Sequence, residues 1–204
     1  MTKVKICGLK EVQHVQAAVQ AGADAIGFVF AASKRQVSIE QAQQLAKHVP
    51  EGVLKIGVFV NPTPEELRAT VSNVPLDYVQ YHGDETPDFI VQQGYPSIKA
   101  LSVRCATDVQ AAANYAVDYY LFDAPGTDYK GGSGHTFDWT LLETAGIPRE
   151  KLILAGGLKI ENIHEALALV SPCMVDVSSG VETEGSKDTE KIAAFLQAVK
   201  RGRI

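Results

Sequence analysis

The sequence predicts a closed parallel (β/α)8 barrel, formed as one domain over residues 1–204. Three observations carry that expectation. Short apolar runs rich in β-branched residues alternate with helical patterns along the whole chain. Parallel neighbours need a crossover, usually a helix, so strict alternation implies a parallel sheet. Strand–helix units of about 25 residues fill the chain eight times over, which matches the lower size limit of an eight-stranded barrel. The rival, an open doubly wound sheet, should carry Gly-x-Gly-x-x-Gly after its first strand, and Cys7-Gly8-Leu9-Lys10 is not that turn.

The elements follow in order. Strand one is Val4–Cys7, with a helix over Glu11–Gln20. Strand two, Ala25–Phe30, leads to a helix over Ile39–His48 that Ser38 can cap. Strand three, Leu54–Val60, precedes Pro64–Ser72, where Thr63-Pro64-Glu65-Glu66 offers a cap, a proline at the first helical position and acids in the first turn. Strand four is Tyr78–Tyr81 with Thr86–Gln93, and strand five Ser97–Leu101 with Ala106–Tyr115. Strand six, Tyr119–Asp123, is followed by a helix over Asp138–Glu143. Strand seven, Leu152–Ala155, leads to Ile163–Leu169, which Asn162 can cap, and strand eight, Met174–Val177, to Thr189–Lys200.

Composition narrows the function. The net charge is −5, from 24 acidic and 19 basic residues, and the basic cluster Lys200-Arg201-Gly202-Arg203 is too short for a binding arm, so no nucleic-acid partner is expected. No run approaches the roughly 18 apolar residues of a membrane span. Strand one begins at once, leaving no room for a signal peptide. Cys7, Cys105 and Cys173 are odd in number and lack Cys-x-x-Cys spacing, which argues for a reducing compartment. A cytoplasmic protein is expected.

Chemistry in such a barrel gathers at the carboxyl ends of the strands. Strand one delivers Cys7 there and strand six Asp123, two titratable groups fit to move protons within one substrate. Gly156-Gly157 after strand seven and Ser178-Ser179-Gly180 after strand eight form the paired loops where barrels often hold phosphate, because glycine lets backbone N–H groups approach. Arg35, after strand two, suits a carboxylate or phosphate. Strand four ends at Gln80 and His82. Gln80 is either barrel interior or ligand-facing, and His82 is either an acid–base group or a neutral ring hydrogen-bonded in place. The loop Lys130–His135 is glycine-rich enough to be a lid or simply a flexible connection. No His, Asp or Cys cluster has metal-ligand spacing.

These segments, in this order, resemble the phosphoribosylanthranilate isomerase family. The matching pieces are Lys5–Leu9, Gly27–Arg35, Gly57–Asn61, Val79–Gly83, Leu121–Asp123, Gly131–Trp139, Leu154–Leu158 and Val175–Glu182, with Gly185-Ser186-Lys187-Asp188 trailing. The resemblance implies a (β/α)8 barrel with no cofactor and no metal. It implies an Amadori rearrangement of N-(5-phosphoribosyl)anthranilate to the 1-deoxyribulose 5-phosphate derivative, a step of tryptophan biosynthesis. On the same ground Cys7 is the general base, Asp123 the general acid, Arg35 the partner of the anthranilate carboxylate, and the two loops the phosphate site. Lys5 and Arg35 are candidate cations for a thiolate at Cys7. The expected partner is the small phosphorylated substrate, with the protein a monomer making at most transient contact with neighbouring enzymes of the pathway. Departures are few: Tyr81 stands where leucine is usual, Ser133 where threonine is, and Glu184 where a proline commonly precedes the last glycine. A related sugar isomerase of histidine biosynthesis carries aspartates in both catalytic roles and a phosphate site in each half, whereas Asn61-Pro62 here offers no second glycine-rich cradle.

Overall fold

The computed structural model of the protein describes residues 1–125, 136–144 and 146–201. Eight parallel strands close into a barrel in sequence order, β1 (Lys3–Cys7), β2 (Ala25–Val29), β3 (Leu54–Phe59), β4 (Tyr78–Tyr81), β5 (Ser97–Ser102), β6 (Tyr119–Asp123), β7 (Leu152–Leu154) and β8 (Met174–Val177). Closure comes from β8 pairing with β1, in a register that sets Lys5 beside Asp176. The sequence-read strands agree to within a residue or two at each end, where ladders fray.

Helices α1 (Val12–Gln20), α2 (Ile39–Ala46), α3 (Pro64–Asn73), α4 (Pro87–Gln93), α5 (Ala106–Gln110), α6 (Ile163–Val170) and α7 (Thr189–Arg201) surround the barrel. Ser38 accepts from the Gln41 amide, and Thr63 with Glu66 forms a reciprocal capping box ahead of Pro64. Three expectations fail locally. The helix expected over Ala106–Tyr115 is α-helical only to Gln110 and continues as a 3-10 turn over Ala111–Asn114. Asn162 does not cap α6; its side chain instead accepts from Lys159 N and donates to Gly157 O, bracing the loop after β7. The helix expected over Asp138–Glu143 is a 3-10 turn, Trp139–Thr144. Gly146, at φ 62, and Pro148 follow it closely and leave too little chain for stable α turns.

Side chains alternate along each strand between the barrel interior and the helical layer. The larger apolar cluster lies under the helices, with Ile6, Phe28, Phe122 and Phe195 fully buried in it. A separate cluster, including Ala25, Ile56, Ile98, Leu121, Ile153 and Met174, fills the lower barrel. The amino-terminal rim is stapled by carboxylates. Asp24, Asp77 and Asp118 stand just before β2, β4 and β6 and accept from Val4 N, Lys55 N and Ser97 N of the preceding strands. That end carries stability, which leaves the opposite rim for chemistry.

The loop after β8 holds a short 3-10 turn, Ser179–Val181, and then a two-stranded hairpin, β9 (Glu182–Thr183) with β10 (Ser186–Lys187). Its turn residues Glu184 and Gly185 have φ 50 and 80. Both central residues are left-handed, as type I′ hairpins require, and a proline cannot adopt that φ at position 184.

Candidate active site

The interior parity that places Leu121 in the apolar plug also carries Lys5 and Cys7 of β1, Gln80 of β4, Asp123 of β6 and Asp176 of β8 inward. Together with His82, just past β4, they form one polar chain across the upper barrel. Asp176 Oδ2 accepts from Lys5 Nζ at 2.7 Å, and the same ammonium donates to Gln80 Oε1 at 2.8 Å. Gln80 Nε2 lies 3.0 Å from His82 Nδ1, and His82 Nε2 lies 3.2 Å from Asp123 Oδ2. That last contact is close but not aligned as a hydrogen bond, so His82 Nε2 is buried without a hydrogen-bond partner among the described residues; Asp176 Oδ1, the oxygen that Lys5 does not reach, is buried and unpartnered there too. Lys5 is fully buried and Asp123 is 4% exposed.

Cys7 ends β1 opposite Gly27 of β2. A Cβ at Gly27 would lie 2.7 Å from the thiol sulfur and 3.0 Å from Lys5 Cε, so only glycine leaves room for both. Burial pushes the Cys7 thiol up and the Asp176 carboxylate adds to this, against the pull of Lys5 and Lys187. For Lys5 the balance tips the other way. Burial works against its charge, but Asp176 and Cys7 together hold its pKa above the ordinary lysine value.

A second cluster sits above Cys7. The Arg35 stem lies against Gly8, where a Cβ would come within 2.6 Å of Arg35 Cδ. Its guanidinium grips Glu182 through Nε at 2.7 Å and Nη2 at 3.0 Å. Glu182 also accepts from Lys187 Nζ at 2.8 Å and has Lys34 at 3.5 Å. Despite burial, Arg35 and Lys187 hold its carboxyl down to about 2. Lys187 donates onward to the carbonyl and hydroxyl of Ser178, and that hydroxyl donates to the Cys7 carbonyl. The arginine, the loop after β8 and the thiol thus share one network.

The two Gly/Ser loops meet directly. Gly156 and Gly157 have φ 84 and 62. A Cβ on Gly156 would collide with the Ala124 backbone and lie 3.0 Å from Asp123 Oδ1. One on Gly180 would collide with the Leu158 carbonyl, so the β8 loop is seated against the β7 loop. A groove of about 530 Å³ lined by Ile90, Tyr95, Asp118 and Lys151 lies at the other end of the barrel, away from these groups.

Comparison with known proteins decides the family. The family model for N-(5′-phosphoribosyl)anthranilate isomerase matches residues 4–198. A Listeria welshimeri protein named N-(5′-phosphoribosyl)anthranilate isomerase is 52% identical over 197 residues, covering 97% of this chain and 98% of its own. The chain belongs to the N-(5′-phosphoribosyl)anthranilate isomerase family. The fold agrees: the phosphoribosyl anthranilate isomerase of Thermotoga maritima superposes with TM-score 0.89 at 39% identity, covering 98% of this chain and 99% of that one. A second solved member, at TM-score 0.86 and 37% identity, covers 98% of this chain and 99% of its own and is in complex with reduced 1-(o-carboxyphenylamino)-1-deoxyribulose 5-phosphate.

For this isomerase-family chain, the residues singled out from sequence fall on the carboxyl-terminal rim together: Cys7, Arg35, Gln80, His82, Asp123, Gly156, Gly157 and Ser178–Gly180. Lys130–His135, the expected glycine-rich loop, lies outside the described residues. Of the two cations considered for the thiol, Lys5 is interior beside it, whereas Arg35 is committed to Glu182. Sequence reasoning assigned no role to Asp176, Glu182 or Lys187. The available signal for Asp176 was its parity with Met174 on a strand buried on both faces. Among the described residues no group of three or more His, Cys, Asp or Glu is disposed to hold a metal ion. No helix among them is long and apolar enough to cross a membrane.

Proposed function

We propose that the protein isomerises N-(5′-phosphoribosyl)anthranilate to 1-(2-carboxyphenylamino)-1-deoxyribulose 5-phosphate, with Cys7 as general base and Asp123 as general acid. The observation that carries this is the pairing, at one barrel mouth, of a buried thiol and a buried carboxyl beneath two interlocked Gly/Ser loops. The ligand named in the solved relative has a carboxyphenyl group at one end and a phosphate at the other. Arg35 and the two loops are matched in chemistry to those ends.

The reaction then follows from the residues. The phosphate seats on backbone N–H groups near Gly157 and Ser179. Glu182 occupies the Nε side of Arg35, so the free Nη edge of the fork faces the anthranilate carboxylate. Asp123, protonated, gives its proton to the ribose ring oxygen as the C1′–O bond breaks, leaving a protonated imine. That cation acidifies C2′–H. Cys7 removes the proton as a thiolate, and the resulting enolamine tautomerises to the ketone. No electron leaves the substrate, so proton transfer suffices. Burial favours the neutral thiol, and the substrate's own iminium charge, added to Lys5, supplies the positive field that a thiolate needs.

The test uses the fluorescence of anthranilate-type substrates. Purified protein mixed with freshly formed N-(5′-phosphoribosyl)anthranilate should abolish substrate fluorescence catalytically and yield the deoxyribulose product. A protein that binds this substrate but leaves it unchanged would overturn the enzymatic reading and leave a binding protein.

A further inference from the structure

We infer that Lys5 and Gln80 act together to fix the tautomer of His82, so that the ring presents a neutral Nε2–H donor to Asp123. The inference rests on the acid role proposed for Asp123 and adds a positioning device for it. It is built from hydrogen-bond polarity alone. A lysine ammonium only donates, so the Gln80 atom 2.8 Å from Lys5 Nζ must be the amide oxygen. Asp176, salt-bridged to the same ammonium at 2.7 Å, keeps that charge in place. The Gln80 amide therefore turns its NH2 toward His82 Nδ1, 3.0 Å away. A donor there requires a lone pair on Nδ1, which leaves the ring proton on Nε2. Nε2 is the atom 3.2 Å from Asp123 Oδ2, buried and with no other partner among the described residues.

The chemical consequence is specific. A general acid must hold its proton until the ring oxygen takes it, and must then be stable as a carboxylate. An imidazolium 3.2 Å away would keep Asp123 ionised and unable to serve as an acid. An Nδ1–H tautomer would point a bare lone pair at the new carboxylate and repel it. A neutral Nε2–H avoids both faults: it tolerates the protonated acid and can swing into line to donate once the charge develops. The other polar groups around this ring keep the same order. Lys99 donates to the Gly83 carbonyl and to Glu85, whose carboxylate accepts from Gly83 N, which anchors the backbone just after His82. On the far side of Gln80, Lys5 is paired with Asp176 and also feels the charge of Cys7.

The test reads the tautomer and then its effect. Nitrogen-15 NMR of histidine-labelled wild-type protein at pH 7 should show His82 protonated on Nε2 and bare on Nδ1. A proton on Nδ1, or on both nitrogens, overturns the inference. That measurement needs no substrate, so it stands or falls apart from the proposed reaction. In Gln80→Glu, the new carboxylate should draw a proton onto Nδ1 and make the ring cationic. kcat should then fall roughly 10²-fold, the scale of losing general-acid help, and the alkaline limb of the pH profile should move to lower pH with KM less affected. His82→Gln places an uncharged N–H near the Nε2 position and cannot be protonated; it should keep far more activity than His82→Leu. Adding Gln80→Glu to His82→Gln should cost little further. Should that second change cost as much as it does alone, Gln80 acts on something other than the imidazole, and the inference fails.

Discussion

Replacing Glu182 by Gln tests how much of the barrel rim hangs on one carboxylate. Its side chain is only 5% exposed and accepts from Arg35 twice and Lys187 once. Its carboxyl is held down from 4.5 to about 2, and this depression corresponds to about 3 kcal/mol of folding free energy at pH 7. The sign follows from the direction. The folded carboxyl ionises more readily than the unfolded one, so the contribution is complete above about pH 5 and fades as pH falls toward 2. At pH 3 roughly half of it is gone. One effect works the other way: burial keeps Lys187 below its ordinary value even with Glu182 beside it, so a Lys187 left without that carboxylate can lose its proton more easily. The expected net loss in Glu182→Gln is therefore about 2–3 kcal/mol at pH 7, or roughly 5–10 °C in Tm for a chain of this size. Urea unfolding of both proteins at pH 7 and pH 3 measures it. The gap should narrow at pH 3, and KM should rise more than kcat falls because the Arg35 fork loses its anchor. A gap below about 0.5 kcal/mol at pH 7, the level of an ordinary surface change, or one that widens on acidification, refutes the reasoning.

Three further outcomes are expected. Cys7→Ser and Asp123→Asn should each lower kcat/KM by at least about 10²-fold with folding intact, and a Cys7→Ser enzyme retaining more than about a tenth of wild-type kcat/KM would remove the thiol from the mechanism. Arg35→Met should raise KM strongly, by the equivalent of about 2–5 kcal/mol for truncating one side of a buried charge contact, and unchanged steady-state constants would make Arg35 a surface charge. Gly156→Ala should weaken protection by inorganic phosphate in thermal unfolding as well as kcat, because its Cβ meets the Ala124 backbone and crowds Asp123, and full phosphate protection in that variant would place the anion elsewhere.

The barrel was legible because its signal is repeated. Eight alternations of β-branched runs and helical patterns outvote any one local error, so mistaking the Trp139–Thr144 turn for an α-helix left the topology untouched. The rim residues were legible for a similar reason: glycines with positive φ at 156 and 157, and a thiol and a carboxylate closing β1 and β6, sit where a strand ends and ordinary packing has no use for them. The hairpin β9–β10 was not. Two residues per strand carry no periodicity, and the left-handed Glu184 gives no warning in a side chain that usually avoids that conformation.

What escaped notice was mainly the partner of each visible residue. Arg35 stands out by type, but Glu182 lies far along the chain and only closure of the barrel brings it within 2.7 Å. Asp176 interrupts the otherwise apolar, buried strand Met174–Val177, and its type alone names no partner. Lys5 is the instructive case, since a lysine near a chain terminus ordinarily belongs in water, and a buried ion pair is a costly substitute for packed hydrophobes. Yet alternation had already committed it. In Lys3-Val4-Lys5-Ile6-Cys7 the apolar Val4 and Ile6 must face the helical layer, so a Cys7 turned to the interior takes Lys5 with it. A cation forced inward at that depth needs acceptors that face the interior within its reach, and the barrel offers two, Asp176 beside it on β8 and Gln80 across the interior on β4. Reading the thiol as functional therefore already implied a buried lysine, and the buried lysine implied the polar chain that ends at Asp123.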